Sequence, residues 1–414
     1  MLHANAGQPR ALTSIVTMTP PVTLPLRVAN THRVSVRRVS PSISVAVAAE
    51  SRPGERRVAL IPEVAGRLHM RGFRTALAAG AGQRAHIPDG MYTNAAVRVV
   101  ADPLDGAQVL LSVRPPGPDV VRRLAPGTLT ISLLPIREEL EVIGALRDGG
   151  ITALSLELMP RTSRAQAMDA LTSQALVTGY RGALVAAERL PRFLPGFTTA
   201  AGTLPPARVL VLGAGVAGLA AIATARRLGA EVAAYDVRAS SAEEVRSLGA
   251  EFLDLGLPPL TGAGGYARLM DAHRAARQRE LLAPRVAAAD ALITTAAVPG
   301  HDAPVLVTTA MVEAMRPGSV VVDLTAEAGG NVEGVRPGEE HLVGHGVLLW
   351  GGADVPSQAP LVASRMFANN VVSLLEYLGP EGVREPDLTD EILGACCVTH
   401  AGHVVHAPTA KLLR

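Results

Sequence analysis

A glycine-rich turn between two short apolar runs is the sequence feature that most narrowly limits how this chain can fold. An apolar run at 209–212 leads into Gly-Ala-Gly-Val-Ala-Gly at 213–218, and after a helical stretch a second apolar run at 231–235 ends in Asp236. This order predicts a strand, a tight turn, a helix and a second strand. Three spaced glycines alone would be weak evidence, but the complete unit predicts a Rossmann fold that binds a dinucleotide.

Each glycine of this turn has a physical role in holding a pyrophosphate. Gly213 permits the tight turn, Gly215 lets the backbone approach the phosphates, and Gly218 lets helix and strand pack closely. The N-terminus of the following helix offers N–H groups and a partial positive charge to the same phosphates. The candidate nucleotide-binding residues of this unit are Gly213, Ala214, Gly215, Val216, Ala217, Gly218, Asp236, Val237 and Arg238.

Asp236 predicts a preference for NAD over NADP. At the end of the second strand, a carboxylate accepts hydrogen bonds from the adenosine ribose hydroxyls. A 2′-phosphate there would face a like charge, at a cost on the order of 4 kcal/mol per unit charge at ~4 Å and an effective dielectric constant near 20. Arg238 complicates this prediction, since a nearby arginine can accommodate the phosphate.

Short β-branched runs alternate with helical stretches from residue 43 onward, which is typical of parallel strands joined by helices. A long proline-free helix is predicted over 164–190, about 40 Å in length, and a last helix over 357–378. The sequence therefore predicts an α/β protein with two Rossmann-like doubly wound domains, joined by long helices, the first of them completed by a C-terminal helix. The predicted boundaries are an N-terminal extension at 1–42, a first domain at 43–163 completed by 355–378, an NAD-binding domain at 164–354 and a C-terminal tail at 379–414.

The composition excludes several other classes of function. The chain carries 39 Lys+Arg against 37 Asp+Glu, and its aromatic content of 3% leaves few stacking platforms, so nucleic acid is not an expected partner. Lys411 is the only lysine, so P-loop and Schiff-base chemistry lack their usual residue. No stretch has the ~20 apolar residues of a membrane span.

Both ends of the sequence differ from the middle. The first forty residues hold five arginines among Ser, Thr and Pro and no acidic residue, which indicates a transit peptide, a disordered tail or a start codon placed too early. The tail holds Cys396, Cys397, His400, His403 and His406. Their regular short spacing does not match paired zinc knuckles, so we expect no metal there and predict a hairpin turning at 401–402. The adjacent cysteines fit a reducing compartment.

Several other stretches together resemble one family. Residues 50–63, Glu-Ser-Arg-Pro-Gly-Glu-Arg-Arg-Val-Ala-Leu-Ile-Pro-Glu, resemble the N-terminal motif shared by alanine dehydrogenases and the NAD(H)-binding, alpha-type subunit of proton-translocating NAD(P)+ transhydrogenase. Arg-Thr-Ser-Arg-Ala-Gln-Ala-Met-Asp at 161–169 is similar to the transhydrogenase loop that closes over the nicotinamide, and 264–267 resembles the mobile loop of that subunit. The resemblance extends over about residues 43–378, with later matches at 294–304 and 317–331.

This resemblance implies a homodimer whose bound NAD(H) exchanges hydride directly with NADP(H) on a partner subunit, coupled to proton movement through membrane-embedded subunits. The chain resembles the split form of the enzyme, a cytoplasmic polypeptide held peripherally on the inner membrane by its partners. By the same resemblance Arg161, Gln166 and Asp169 hold the nicotinamide and its ribose, with Gln166 nearest the second nucleotide. Thr172 stands where the family usually has serine, and Gly265 and Tyr266 lie on the mobile loop, with Tyr266 moving over the bound nucleotide.

Two other functions compete with this interpretation. Alanine dehydrogenase shares the fold, but the regions that carry its lysine and histidine read Leu-Ser-Val-Arg-Pro-Pro at 111–116 and Ser-Leu-Leu-Pro-Ile at 132–136, and its later aspartate corresponds to Glu327. Without those two residues, oxidation of an amino acid lacks its acid–base group, although Arg114 could still hold a carboxylate. An NAD-responsive binding protein is the other alternative, because a fold alone does not fix function.

Overall fold

The computed structural model describes residues 42–260, 271–298 and 301–413. Its strands are β1 (Ile43–Val47), β2 (Phe73–Ala78), β3 (Arg98–Val100), β4 (Val109–Leu111), β5 (Leu129–Ser132), β6 (Thr152–Ser155), β7 (Phe197–Thr199), β8 (Gly202–Leu204), β9 (Arg208–Leu212), β10 (Glu231–Tyr235), β11 (Glu251–Phe252), β12 (Ala291–Thr294), β13 (Val320–Asp323), β14 (Glu340–Val343), β15 (Val347–Gly351), β16 (Cys397–His400) and β17 (His403–Val404).

The helices alternate with these strands along most of the chain. They are α1 (Pro62–Met70), α2 (Asp89–Asn94), α3 (Pro118–Val121), α4 (Leu140–Asp148), α5 (Ala170–Arg189), α6 (Val216–Arg227), α7 (Ser241–Ser247), α8 (Ala272–Ala288), α9 (Thr309–Glu313), α10 (Pro360–Arg384), α11 (Glu391–Cys396) and α12 (Ala407–Leu412). No helix in the described ranges combines the length and apolar character needed to cross a bilayer.

The first sheet has the order β17-β16-β6-β5-β4-β1-β2-β3 and is parallel from β6 to β3. Helix α10 covers it, because Phe367, Val371 and Leu375 lie in one buried cluster with Ile43 and Val45 of β1. The predicted completion of this sheet by a helix from far along the chain is therefore observed.

The second sheet has the order β11-β10-β9-β12-β13-β15-β14, and all its strand pairs are parallel except β14 with β15. The chain winds outward from β9 in both directions, so the strand order reverses between β9 and β12. In doubly wound sheets, ligands bind at this reversal, outside the carboxyl ends of the strands. The predicted α/β class with two Rossmann-like units is confirmed.

The long helix begins later than the sequence predicts. A 3₁₀ turn at Gln166–Met168 precedes α5, and the carboxylate of Asp169 accepts from the backbone N–H of Thr172 at 2.9 Å, so it caps the new helix. Our expectation of one helix over 164–190 was wrong at its start, because this cap favours a break. Helix α5 is 20 residues long, or ~30 Å.

Helix α5 packs closely against α6, the helix that follows the glycine-rich turn. A Cβ built on Gly179 would lie 1.8 Å from the carbonyl oxygen of Ala217, so only glycine fits at this crossing. Two of the predicted glycine positions and this third one therefore bring backbone against backbone around the same turn.

The C-terminal residues depart most from expectation. Helix α10 begins at Pro360, after a 3₁₀ turn at Val355–Gln358, and continues through a kink at Gly379 (φ 63°) to Arg384. The predicted hairpin at 401–402 is present as β16–β17, but β16 also pairs antiparallel with β6 and extends the first sheet. Cys396 and Cys397 are both buried free thiols.

Candidate functional site

A cleft of ≈ 600 Å³ lies at the carboxyl ends of the strands of the second sheet. Its wall is formed by the turn after β9, the loops after β10 and β12, and helices α5 and α8. The cleft includes these predicted nucleotide-binding residues: Arg161, Thr172, Gly213, Ala214, Gly215, Val216, Ala217, Asp236, Val237 and Arg238. The fold thus brings most of the sequence candidates into one cavity.

The glycine-rich turn is fixed from below by the strand beside it. Gly213 has a φ of 94°, and the hydroxyl of Thr295, just after β12, donates to its carbonyl oxygen at 3.0 Å. A Cβ on Gly218 would lie 1.9 Å from that same carbonyl oxygen. Helix α6 starts directly after Gly215 with no side-chain cap among the described residues, so its first N–H groups face the cleft. This geometry suits an anionic ligand such as a pyrophosphate.

Asp236 is held by the protein on both carboxylate oxygens. One oxygen accepts from the backbone N–H of Ala214 at 2.7 Å, and the guanidinium of Arg238 donates to both oxygens at 2.9 Å. The side chain is only 7% exposed. The hydrogen bond to Asp236 raises the pKa of Arg238, whereas burial acts in the opposite direction. Arg238 therefore offsets much of the negative charge from which we predicted rejection of a 2′-phosphate.

The residues predicted to surround the nicotinamide are divided by the structure. Arg161 and Thr172 line the cleft, whereas Gln166 is exposed on the 3₁₀ turn and does not line it. Asp169 accepts from the hydroxyl of Thr172 at 2.6 Å as well as from its backbone N–H. Asp169 therefore contacts the cleft through Thr172. Gly265 and Tyr266 lie outside the described residues.

Sequence reasoning missed the second wall of the cleft. Ala275, Gln278 and Arg279 of α8 and the residues Pro304, Val305 and Leu306 complete it. The loop after β12 is positioned by Asn331, whose amide accepts from the backbone N–H of Ala296 and donates to the carbonyl oxygens of Ala296 and Pro304, each at 2.8 Å. Only the helical period of α8, with a glutamine on its apolar face, could have identified part of this wall.

A second polar cluster lies where the two sheets face each other. Arg57 donates to both carboxylate oxygens of Glu55, at 2.8 and 2.6 Å, and to Gln174 of α5 at 2.8 Å. Arg114, which follows β4, donates to Glu55 at 3.2 Å and also to Asp354, which follows β15. Both arginines are thus paired with carboxylates that belong to the protein itself.

Charge interactions in this cluster shift the pKa values of its acids in opposite directions. Burial alone would raise the pKa of Glu55, but the hydrogen bonds and charge of Arg57 outweigh it and hold that pKa at about 2. Burial and the nearby charge of Asp354 raise the pKa of Glu327. Glu327 also accepts from the backbone N–H of Asp354 at 3.1 Å. Any free carboxylate that approached Arg114 would have to displace Asp354.

Comparison with known proteins gives the same family for both halves of the chain. The family described as alanine dehydrogenase/PNT, N-terminal domain, matches residues 46–178, and its C-terminal domain matches residues 182–407. An NAD(P) transhydrogenase subunit alpha polypeptide of Rhodospirillum rubrum is 43% identical over 380 residues, which cover 88% of this chain and 98% of that protein.

A solved structure and a more distant relative complete the comparison. A transhydrogenase structure from Sinorhizobium meliloti is similar with a TM-score of 0.77 at 41% identity, covering 88% of this chain and 99% of the other. Alanine dehydrogenase of Bacillus subtilis is 28% identical over 377 residues, covering 89% of this chain and 94% of that protein. The similarity is thus greater to transhydrogenases than to this alanine dehydrogenase.

Proposed function

The chain belongs to the alanine dehydrogenase/PNT family, on the side of the NAD(P) transhydrogenase alpha subunits, and we propose that it is the NAD(H)-binding subunit of a proton-translocating NAD(P)+ transhydrogenase. One geometric observation carries the choice within the family. Arg114 is paired with Asp354 and Glu55, so the cluster that would receive an amino acid is filled by the protein's own carboxylates. The nucleotide cleft, in contrast, offers a cavity of ≈ 600 Å³.

The reaction requires little chemistry from the protein. When bound, NAD(H) supplies the reacting hydride position, so no nucleophile or general base of the chain is needed. The chain has to hold the nucleotide, exclude water and present the nicotinamide to a second coenzyme, NADP(H), on a partner subunit. The turn at 213–218 would hold the pyrophosphate and Asp236 the adenosine ribose. Arg161 and Thr172 would hold the nicotinamide end.

The exposed position of Gln166 supports a role at the junction with the partner nucleotide. Its turn precedes α5 and is tied to that helix by the Asp169–Thr172 hydrogen bonds. A neutral amide there can bind ribose hydroxyls without accepting hydride. Asp169 would then position Thr172, and Tyr266 and Gly265 would cover the site from the loop at 264–267.

Assembly with other subunits is part of the same proposal. The chain would form a homodimer, and it would dock on membrane-embedded and NADP-binding subunits at the cytoplasmic side of the inner membrane, where their proton translocation is coupled to hydride transfer. Exposed apolar side chains on and beside the β7–β8 hairpin support a protein contact there: Phe193, Phe197 and Leu204 are 60%, 46% and 52% exposed. Exposed apolar patches of this kind mark interaction surfaces.

Hydride transfer with the partner tests the proposal. We would mix the purified chain with the NADP-binding subunit of the same organism and follow reduction of an NAD analogue with a shifted absorbance by NADPH. Turnover should require both proteins, and Gln166→Asn should cut it at least tenfold while NADH affinity from calorimetry stays within about twofold. Gln83→Asn, another exposed glutamine far from the cleft, is the matched control.

Three outcomes would count against parts of this assignment. A large loss of NADH affinity in Gln166→Asn would show that Gln166 binds the nucleotide without a special role at the junction. NADH binding with no turnover in the presence of the partner would favour the NAD-responsive binding protein. Rapid NAD reduction by alanine would move the chain to the alanine dehydrogenase side of the family.

A further inference from the structure

One polar side chain interrupts the buried face of α8. The residues of this helix that are buried are Gln278, Leu282 and Val286, spaced four apart on one face. Leu282 and Val286 pack in an apolar cluster with Tyr235, Leu292 and Leu306. Gln278 continues the same stripe toward the carboxyl ends of the strands and is only 1% exposed.

The carboxamide oxygen of Gln278 has no hydrogen-bond donor among the described residues. A buried acceptor without a partner carries a desolvation penalty that an apolar side chain of similar size would avoid. Gln278 also lines the nucleotide cleft, next to Ala275, Val237 and Leu306. This end of the cleft therefore has apolar walls and one unpartnered acceptor, which is the usual composition of a site that orients a flat apolar ligand.

The order of the site along β10 indicates which part of the nucleotide reaches Gln278. If the pyrophosphate lies on the turn at 213–218 and the adenosine ribose at Asp236, the base continues past Asp236 toward Val237 and α8. Adenine has apolar faces and an exocyclic amino group that donates hydrogen bonds. We propose that Gln278 recognises the adenine base of NAD(H), its carboxamide oxygen accepting from that amino group. The inference rests on the proposed nucleotide site.

Stability and affinity should change in opposite directions on substitution. Gln278→Met removes the unpartnered acceptor, so the nucleotide-free protein should melt about 2 °C higher. The same change removes the hydrogen bond to adenine, so NADH should bind about 5- to 30-fold more weakly. A residue that only supports the helix would not separate these two effects.

A fragment of the coenzyme locates the loss. Reduced nicotinamide mononucleotide lacks the adenosine, so Gln278→Met should bind it as the wild-type chain does. Leu282→Met, one turn along the same buried stripe, lies outside the cleft and is the matched control, with both affinities unchanged. Calorimetry of both ligands against the three proteins gives the comparison. If Gln278→Met does not fold, Gln278→Asn keeps the amide but shortens its reach and should show the same selective loss for NADH.

The results that would overturn the inference are distinct from those that would overturn the proposed function. Unchanged NADH affinity in Gln278→Met, or an equal loss for NADH and the mononucleotide, would refute adenine recognition by Gln278 and leave the nucleotide site standing. A wild-type chain that bound neither ligand would refute both proposals at once.

Discussion

At the residue scale, Asp236 and Arg238 have to be considered as one unit. The carboxylate that would select NAD is paired with the cation that would accept a phosphate, and each holds the other at 2.9 Å. Either side chain alone would give a clear coenzyme preference. Paired, they leave a smaller preference for the ribose hydroxyls over a 2′-phosphate than the isolated acid would give.

We predict that the chain binds NADH more tightly than NADPH and that Asp236→Asn reduces this difference. The substitution removes an acceptor for the ribose, which should weaken NADH binding about tenfold, and it releases Arg238 to a 2′-phosphate, which should strengthen NADPH binding. Titration calorimetry with both coenzymes measures the change. Asp254→Asn, the same change at an exposed position near the end of β11, should leave both affinities as they are. Tighter NADPH binding by the wild-type chain would contradict the assignment of Asp236.

The pairing of Arg114 predicts the absence of an activity. Alanine-dependent NAD reduction should be negligible in the wild-type chain, because Asp354 and Glu55 occupy Arg114 and no acid–base residue replaces the missing lysine and histidine. Asp354→Ala should let Arg114 bind pyruvate, detectable by calorimetry, and still give no turnover. Turnover in either protein, measured at 340 nm beside a known alanine dehydrogenase, would show that this cluster is catalytic.

At the scale of elements, the contact of α5 with α6 holds the nucleotide turn in place. Gly179 meets Ala217, a residue of the turn itself, at the crossing of the two helices. Gly179→Ala should therefore lower the free energy of unfolding by about 3 kcal/mol or more, as overpacking of a close contact does, and should also weaken NADH binding. Urea denaturation and calorimetry measure the two effects.

A second glycine gives the control for this crossing. Gly144 of α4 has no atom within 4 Å of a built Cβ, so Gly144→Ala should be neutral or stabilising by up to about 1 kcal/mol through helix propensity. A Gly179→Ala variant as stable as Gly144→Ala would show that α5 and α6 can separate without cost.

The carboxyl ends of the strands in the first sheet predict a pH dependence. Burial raises the pKa of Glu50, after β1, to about 7, although the backbone N–H groups of Val113 and Arg114 donate to it. Burial also raises the pKa of Glu157, after β6, to about 7. The folded chain therefore binds these protons more tightly than the unfolded chain, whose value is near 4.5.

Stability should accordingly be lost as the pH rises from about 4.5 through 7, by on the order of 3 kcal/mol for each carboxyl. Glu50→Gln and Glu157→Gln should each flatten this decline in urea denaturation between pH 5 and pH 7.5, whereas the exposed Glu141→Gln should not. Glu55, with its pKa lowered to about 2, acts with the opposite sign, and its contribution is lost as the pH falls from about 4.5 toward 2. A stability profile that rises between pH 5 and pH 7.5 would be inconsistent with ionisation of these buried acids.

At the scale of the whole molecule, sequence reasoning worked best where local pattern and tertiary structure agree. The strands at 208–212 and 231–235 were predicted to the residue, because buried parallel strands beside a glycine turn have a strong local pattern. The start of α5 and the second wall of the cleft were not predicted. Both depend on contacts between distant residues, such as α8 facing Val237, that no local period encodes.

The predicted domain boundaries stay a prediction, and the structure shows why a sequence can only approximate them. Arg57 near the start of the first sheet bonds Gln174 of α5, and Arg114 bonds Asp354 after the second sheet. Residues that belong to one sheet by strand pairing thus serve the other by charge. The division of labour along the chain is clearer for the glycine turn than for any boundary.

The pairing of β16 with β6, together with α10, has a consequence for how the chain is made. A ribosome delivers residues 43–155 first, but the sheet they form is not covered and extended until residues 360–404 have emerged. The nucleotide-binding half, which lies between them, has all its strands and can fold while synthesis continues. The half that comes first in translation is therefore the last to reach its native form, and during that interval it is the one that depends on chaperones.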